Sequence, residues 1–146
     1  MKFRLAIVLA LAALLYPSPL AGTSTLAQNQ DADGVRALLF RLEQIVQASD
    51  ARAYKMLLSE TADQKAAADF VSAELLPGAT RAVLKERDRE PLPGILPGNG
   101  YRLSIDTFTE FGARARSTTW RLDVKRVGEG GEESWRISGQ QRRASS

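Results

Sequence analysis

The side chains that could carry out chemistry in this 146-residue sequence are carboxylates, tyrosines, lysines and arginines, because it contains no histidine and no cysteine. Without those two residues the chain lacks the usual zinc ligands and the usual Ser-His and Cys-His catalytic pairs. It also lacks the side chain that most readily transfers protons near neutral pH. The composition therefore argues against most hydrolase mechanisms, and we expect no metal ion and no cofactor. We find no catalytic motif, which favours a non-enzymatic role.

A run of charged residues extends from Lys85 to Glu90. On a β-strand the two-residue period places Lys85, Arg87 and Arg89 on one face and the three acidic residues on the other. This basic face could bind an anionic partner such as an envelope polymer or a lipid headgroup. Other arginines that could join it are Arg81, Arg114, Arg116 and Arg121. The alternative, which we favour, is a solvated strand end whose charges pair across the ladder and discourage edge aggregation.

Two tryptophans, Trp120 and Trp135, could stack on sugars or nucleobases. Both occur in alternating apolar patterns typical of strands, so we favour packing in the core. Trp120 is retained as a candidate for ligand or partner binding. The net charge is +3, and two of those charges, Lys2 and Arg4, belong to a segment that we expect to be removed. The charge therefore gives little support for nucleic-acid binding.

The N-terminal residues have the features of an export signal. Lys2 and Arg4 precede an apolar run over residues 5–15, which is too short to cross a membrane and fits the core of a secretory signal. Thr25-Leu26-Ala27 supplies small residues for signal peptidase, so we predict a signal peptide over residues 1–27 and a periplasmic or secreted protein. The alternative is an uncleaved anchor, which would be the only membrane attachment.

These candidates must be positioned by one α+β domain over residues 33–139, which follows a disordered lead-in at 28–32 and precedes a polar tail at 140–146. Apolar residues at helical spacing predict a helix over 35–48, a short helix over 51–58 and a third helix between Thr61 and Pro77. Alternating patterns predict strands over 79–90, 101–111 and 113–127, and a fourth around Trp135 and Ile137. The expected fold is three N-terminal helices packed on a curved antiparallel sheet of about four strands.

This order of elements resembles the cystatin-like cone fold of the nuclear-transport-factor-like and ketosteroid-isomerase-like superfamily. The resemblance is carried by the helix at 35–48, by Ser49-Asp50-Ala51 at the next helix, and by the late strand segments 120–124 and 134–137. It implies a pocket between the helices and the concave face of the sheet, and possible dimerisation through the sheet.

Ketosteroid isomerases of that superfamily use a carboxylate base and an oxyanion hole made by a tyrosine and a protonated aspartate. The local candidates that the resemblance suggests are Asp106, Tyr54, Tyr101 and Asp123. Asp106 alternates with apolar residues such as Ile105, so we expect it on the opposite face, exposed and with an ordinary pKa. We expect Tyr54 and Tyr101 to be core residues with a hydrated hydroxyl. No isomerase position matches residue by residue, so no catalytic residue is assigned.

A narrower resemblance is to the N-terminal accessory modules that precede gluzincin-type aminopeptidase domains in exported proteins. It is carried by the segments 77–80, 86–89, 97–101 and 119–124. The HExxH zinc helix of such peptidases is missing from this sequence, so the resemblance implies the accessory module alone, from a truncated gene or a separate paralogue.

From these patterns we expect an exported, non-catalytic binding or accessory module of cone fold, which contacts a partner protein, an adjacent domain or a small apolar ligand. One alternative is a small isomerase- or cyclase-type enzyme that depends on Asp and Tyr. Another is a truncated accessory domain of an exported metallopeptidase.

Overall fold

The computed structural model describes residues 23–128 and 133–144. It contains three helices, α1 (Thr23–Ala48), α2 (Ala51–Met56) and α3 (Gln64–Glu74), followed by four strands, β1 (Arg81–Pro91), β2 (Gly100–Phe111), β3 (Arg114–Val127) and β4 (Ser134–Arg143). The strands form one antiparallel sheet in the order β1-β2-β3-β4. This confirms the predicted α+β class. Among the described residues no helix is both long and apolar enough to cross a membrane.

Helix α1 begins at Thr23, well before the predicted start, so residues 28–32 are helical and not an irregular lead-in. Most of the predicted signal peptide, residues 1–22, lies outside the described residues. Asp31 lies inside this helix, where it is buried and accepts a hydrogen bond from Arg126 of β3. This contact joins α1 to the sheet. Val35 and Leu42 form part of the apolar stripe that faces the core.

Helices α2 and α3 begin at aspartates that accept hydrogen bonds from free backbone N–H groups. Asp50 accepts from Ala53 N at 3.0 Å. Asp63 accepts from Lys65 N and Ala66 N at 2.9 and 3.1 Å, so Asp63 is the N-cap of α3.

Strand β1 is an edge strand, and α1 covers part of its free edge. Gln47 Oε1 accepts from Ala82 N at 3.2 Å, and Glu43 Oε2 accepts from Leu84 N at 2.8 Å. These bonds use N–H groups that an exposed edge would offer to another chain.

Two β-bulges set which side chains face the helices. In β1 the register shifts between Glu86 and Asp88, so Arg89 lies on the same side as Glu86. The predicted separation of a basic and an acidic face is therefore wrong. In β4 the register shifts at Ser138, and Gln140 pairs with the inward-facing Leu122. Strand β4 continues to Arg143, so the predicted polar tail begins inside a strand.

The core under the sheet is closed by an aromatic cluster of Tyr54, Phe70 and Trp120. The rings of Tyr54 and Phe70 stack at 4.9 Å, and Phe70 meets Trp120 edge-on at 4.8 Å. All three side chains are at most 2% exposed. Burying each ring contributes about 1.5 to 3 kcal/mol, so this cluster is a large part of what holds the helices to the sheet.

A second cluster, which we call the clamp, fixes α1 to the end of the sheet near the β1–β2 loop. Its rings and guanidinium groups alternate as Arg89, Tyr101, Trp135 and Arg126, with separations of 5.4, 5.6 and 5.4 Å. Asp31 of α1 joins this stack through Arg126. Gly34 of α1 is packed so closely that a Cβ atom there would lie 2.5 Å from the Trp135 ring.

Candidate ligand-binding site

Asp106, the carboxylate singled out as a possible base, lies on the sheet face away from the helices, as its alternation predicts, but it is not exposed. It is only 3% exposed. Thr119 Oγ1 donates to it at 2.8 Å, and Arg87, the extra residue of the β1 bulge, donates through Nε. Burial alone would raise the pKa of Asp106, but these two hydrogen bonds and the Arg87 charge outweigh it and hold the pKa below its ordinary value. The carboxylate is therefore held ionised, which suits an ion pair and not a proton-transferring base.

The two tyrosine candidates occupy separate environments. Tyr54 is fully buried, and its hydroxyl accepts from Gln140 Nε2 at 2.6 Å. Burial raises the pKa of Tyr54, and the bond from Gln140 offsets only part of that rise. Tyr101 belongs to the clamp, where its hydroxyl donates to Asp31 Oδ2 at 3.4 Å. Among the described residues, Asp106 has no hydrogen bond to either tyrosine, so these three side chains do not form one catalytic group.

The predicted basic patch is divided between the two sheet faces, and five of its six arginines are paired with an acid or an amide. Arg87 pairs with Asp106, and Arg89 forms two hydrogen bonds to Glu86 at 2.7 and 2.8 Å, which raise the pKa of Arg89. Other contacts join Arg81 to Glu110, Arg116 to Glu74, and Arg121 to Gln141. Lys85 and Arg114 are exposed. This arrangement agrees better with charge pairing across the ladder than with a single anion-binding face. Asp123 is likewise paired, with Arg102.

Glu74 is an inward carboxylate that the sequence reasoning missed. It ends α3, is 3% exposed, and accepts from Trp120 Nε1 at 2.7 Å and from Thr107 Oγ1 at 2.9 Å. A glutamate near a helix end is usually exposed, but Glu74 continues the apolar stripe of Ala67 and Phe70 at helical spacing. That spacing was the signal that could have identified it.

A cleft of about 480 Å³ opens between α3 and the end of β4, and we refer to it below as the cleft. Its apolar lining comes from Ala66, Ala73 and Trp120, and its polar lining includes Asp69, Gln140 and Arg142. Gln140 is 8% exposed, whereas Arg142 is exposed and Asp69 is exposed and paired with Lys65 at 3.1 Å. Buried amide and ring atoms inside a charged rim suit the binding of a small molecule with an apolar body.

The two acidic side chains at or beside the cleft, Asp69 and Glu74, both have partners. Glu74 is not part of its lining, and both of its carboxylate oxygens already accept hydrogen bonds. Within residues 23–128 and 133–144 no group of three acidic side chains is placed to hold a metal ion. The cleft combines an apolar surface with the buried Gln140 side chain and the charged groups of Asp69 and Arg142.

Comparison with solved structures finds the same fold in proteins of very different sequence. A structure designated Rd1NTF2_05 aligns with a TM-score of 0.55 at 12% identity, over 77% of this chain and 98% of its own. LinA aligns with a TM-score of 0.54 at 10% identity, over 84% of this chain and 91% of its own. Hexachlorocyclohexane dehydrochlorinase LinA-type3 from Novosphingobium barchaimii LL02 aligns with a TM-score of 0.50 at 10% identity, over 82% of this chain and 89% of its own.

No family model and no curated protein matches the sequence at a significant level. The structural likeness supports the predicted nuclear-transport-factor-like cone, and at these identities it concerns the fold alone. The narrower resemblance to an aminopeptidase accessory module gains no support from the comparisons.

Proposed function

We propose that this cone-fold chain is a non-catalytic binding module whose cleft between α3 and β4 takes a small apolar ligand. One observation carries the proposal: Trp120 and two alanines line the cleft, while the neighbouring buried carboxylate, Glu74, is held by two donors and lies outside the lining. The aromatic cluster fills the core beneath. Ligand binding without proton transfer is the activity that this arrangement supports best.

The size of the cleft is consistent with this proposal. Small-molecule sites commonly have volumes of about 300 to 1,000 Å³, are mostly apolar and carry a few placed polar groups. The cleft has about 480 Å³, two alanines and a tryptophan in its lining, and the amide of Gln140. Asp69 and Arg142 give its rim one charge of each sign, which favours an uncharged ligand.

The test uses fluorobenzene, an uncharged apolar probe, and ¹⁹F NMR line broadening on the full chain. Ala73→Trp should fill the cleft and abolish binding. Ala68→Trp is the matched control, because Ala68 is an exposed residue of the same helix outside the cleft lining, and it should bind the probe as the wild type does. Equal binding by both variants, or none by the wild type, would refute the proposal.

A second candidate, a small isomerase- or cyclase-type enzyme, is favoured by one contact. Trp120 lines the cleft and its ring N–H binds Glu74, so this carboxylate is joined to the cleft through a single residue. Glu74 would then act in place of Asp106, which lies on the other sheet face. A crystal structure with a bound ligand decides between the two: a Glu74 oxygen within hydrogen-bond distance of the ligand favours the enzyme, and unchanged bonds to Trp120 and Thr107 favour the module.

We also propose that the module is exported, on the strength of residues 1–27. Mass spectrometry of the chain recovered outside the cytoplasm should find Gln28 as the first residue, and a chain that still begins at Met1 would contradict cleavage. A protein partner, an adjacent domain and a homodimer remain predictions of the sequence.

A further inference from the structure

We propose that a second pocket, between the α2–α3 turn and the β3–β4 pair, binds an anionic group, and that the class of ligand is a phosphate monoester. This pocket, which we call the anion pocket, has a volume of about 440 Å³ and shares no lining residue with the cleft. The inference therefore goes beyond the proposed function and does not depend on it. The lining comes from residues 58–61 of the turn and from Lys125, Val127 and Arg136 of the strands.

The two cations of the anion pocket lie directly opposite each other, Lys125 on β3 and Arg136 on β4. Side chains in such a pair share one face of the sheet, and like charges in these positions repel. Elsewhere on the sheet a cation faces an acid, as Arg102 faces Asp123. Among the described residues neither Lys125 nor Arg136 has an acidic partner. An anion bound beside both charges would remove this repulsion.

The α2–α3 turn holds the ammonium group of Lys125 at the pocket. Lys125 Nζ donates to Thr61 Oγ1 at 2.7 Å, and Thr61 Oγ1 lies 3.4 Å from Ser59 Oγ. The turn is itself fixed to β4, because Ser59 N donates to Ile137 O at 2.8 Å. An ammonium group has three donors, and Thr61 uses one of them, so two remain for a ligand. A cation held in place in this way loses less conformational freedom when a ligand binds.

The charges and shape of the lining indicate the class of ligand. A phosphate monoester carries about −1.5 to −2 charges near pH 7 and three acceptor oxygens, so it matches two adjacent cations better than a carboxylate does. The guanidinium of arginine also presents donors that fit phosphate oxygens. Leu58 and Val127 supply apolar surface for an organic body. Glu60 lines the pocket as well, is exposed, and forms an ion pair with neither cation among the described residues, so it opposes the anion.

The experiment compares phenyl phosphate with benzoate on the full chain, by NMR titration of the backbone amides of Thr61 and Lys125 at constant ionic strength. The two ligands carry the same ring and differ in the anionic group. Phenyl phosphate should bind about tenfold more tightly than benzoate. Equal affinities, or tighter binding of benzoate, would overturn the assignment to phosphate. If neither ligand shifts these amides, the anion pocket is refuted, and the proposed function of the cleft is unaffected.

Two variants assign the binding to the paired cations. Lys125→Met and Arg136→Met should each weaken the binding of phenyl phosphate by about tenfold or more, because each removes a charged hydrogen-bond donor. Arg114→Met is the matched control, since Arg114 is an exposed cation of β3 outside the lining, and it should bind as the wild type does. An equal loss in the control would show attraction to the net charge alone and would overturn the site.

A third variant should change the affinity in the opposite direction. Glu60→Gln removes the exposed negative charge from the lining and should tighten the binding of phenyl phosphate about two- to fivefold. This variant still decides if a cation variant fails to fold. Unchanged or weaker binding by Glu60→Gln would place the anion away from the turn and overturn the inference.

Discussion

At the end of the sheet near the β1–β2 loop, guanidinium groups and aromatic rings alternate in the clamp, and its charged groups are paired. At the opposite end of the sheet, three buried polar atoms have no hydrogen-bond partner among the described residues: the hydroxyls of Thr109 and Thr118 and the amide oxygen of Gln140, of which only Gln140 lines the cleft. The charged groups of the clamp are paired, whereas the second end holds these unpaired groups as well as the paired Glu74 carboxylate. Because unpaired buried groups reduce stability, we expect side-chain changes at the two ends to differ in their cost.

Removing a cation from the clamp should have the largest effect on stability. In Arg126→Met the buried Asp31 loses its charged partner, and breaking a buried pair in this way costs about 3 to 5 kcal/mol. Urea unfolding should show a lower midpoint by a corresponding amount. Arg36→Met is the control, since Arg36 forms only an exposed pair with Asp33, and a similar loss there would contradict the role of the clamp.

Adding one methyl group at the clamp should have the next largest effect. In Gly34→Ala the new Cβ would lie 2.5 Å from Cδ1 and Nε1 of Trp135, so α1 must shift away from the sheet. Overpacking of this kind costs about 1 to 3 kcal/mol. Thermal unfolding measures this loss of stability. Ala37→Gly is the variant to compare with it, because it exchanges the same two residue types at an exposed position of the same helix. Unchanged stability of Gly34→Ala would show that α1 is not held closely at this point.

Asp106 lies on the outer face of the sheet, and its contribution to stability should depend on pH. Its folded-state pKa is below its ordinary value, so its contribution to stability is present above the unfolded pKa and is lost as the pH falls through the folded one. The destabilisation caused by Asp106→Asn should therefore be full at neutral pH and shrink below about pH 4. Urea midpoints at several pH values test this, with Asp33→Asn as an exposed control. A constant difference down to acid pH would contradict the shift.

The smallest change in stability is expected at the end of the sheet that holds the cleft. There the substitution should not lower the stability, in contrast to the substitutions above. Thr118→Val replaces a buried, unpartnered hydroxyl by a methyl group of the same shape, which should leave stability unchanged or raise it by about 0.5 kcal/mol. Thr107→Val is the contrast, because its hydroxyl donates to Glu74, and that variant should be destabilised by about 1 to 3 kcal/mol. If Thr118→Val is as harmful as Thr107→Val, the two ends do not differ as described.

The architecture could be predicted because apolar periodicity is a local property of the sequence. The stripe through Val35 and Leu42, and the alternation around Trp120, fix element type and the buried faces without knowledge of partners. Strand β4 was predicted only as far as Ile137 because residues 140–143 are all polar and show no alternation. Pairing with β3, and not side-chain hydropathy, extends the strand.

The candidate site was less predictable because its residues depend on contacts between distant segments. Asp106 was expected to be exposed, and Arg87 and Thr119 from neighbouring strands cover it. Gln140 had no assigned role, because its inward direction depends on a bulge that the sequence did not reveal. The export signal and the partner are predictions that the fold does not test.

The bulge at Ser138 has a consequence for how this chain tolerates insertions and deletions. The residues that follow Gly139 form two identical pairs, Gln140-Gln141 and Arg142-Arg143. If the strand slipped so that each residue were replaced by the next one along the chain, Gln141 would lie opposite Leu122 and Arg143 opposite Trp120, in place of Gln140 and Arg142. A one-residue deletion earlier in β4 would therefore leave the same side-chain types facing the helices, which makes the end of this strand tolerant of a small change in length.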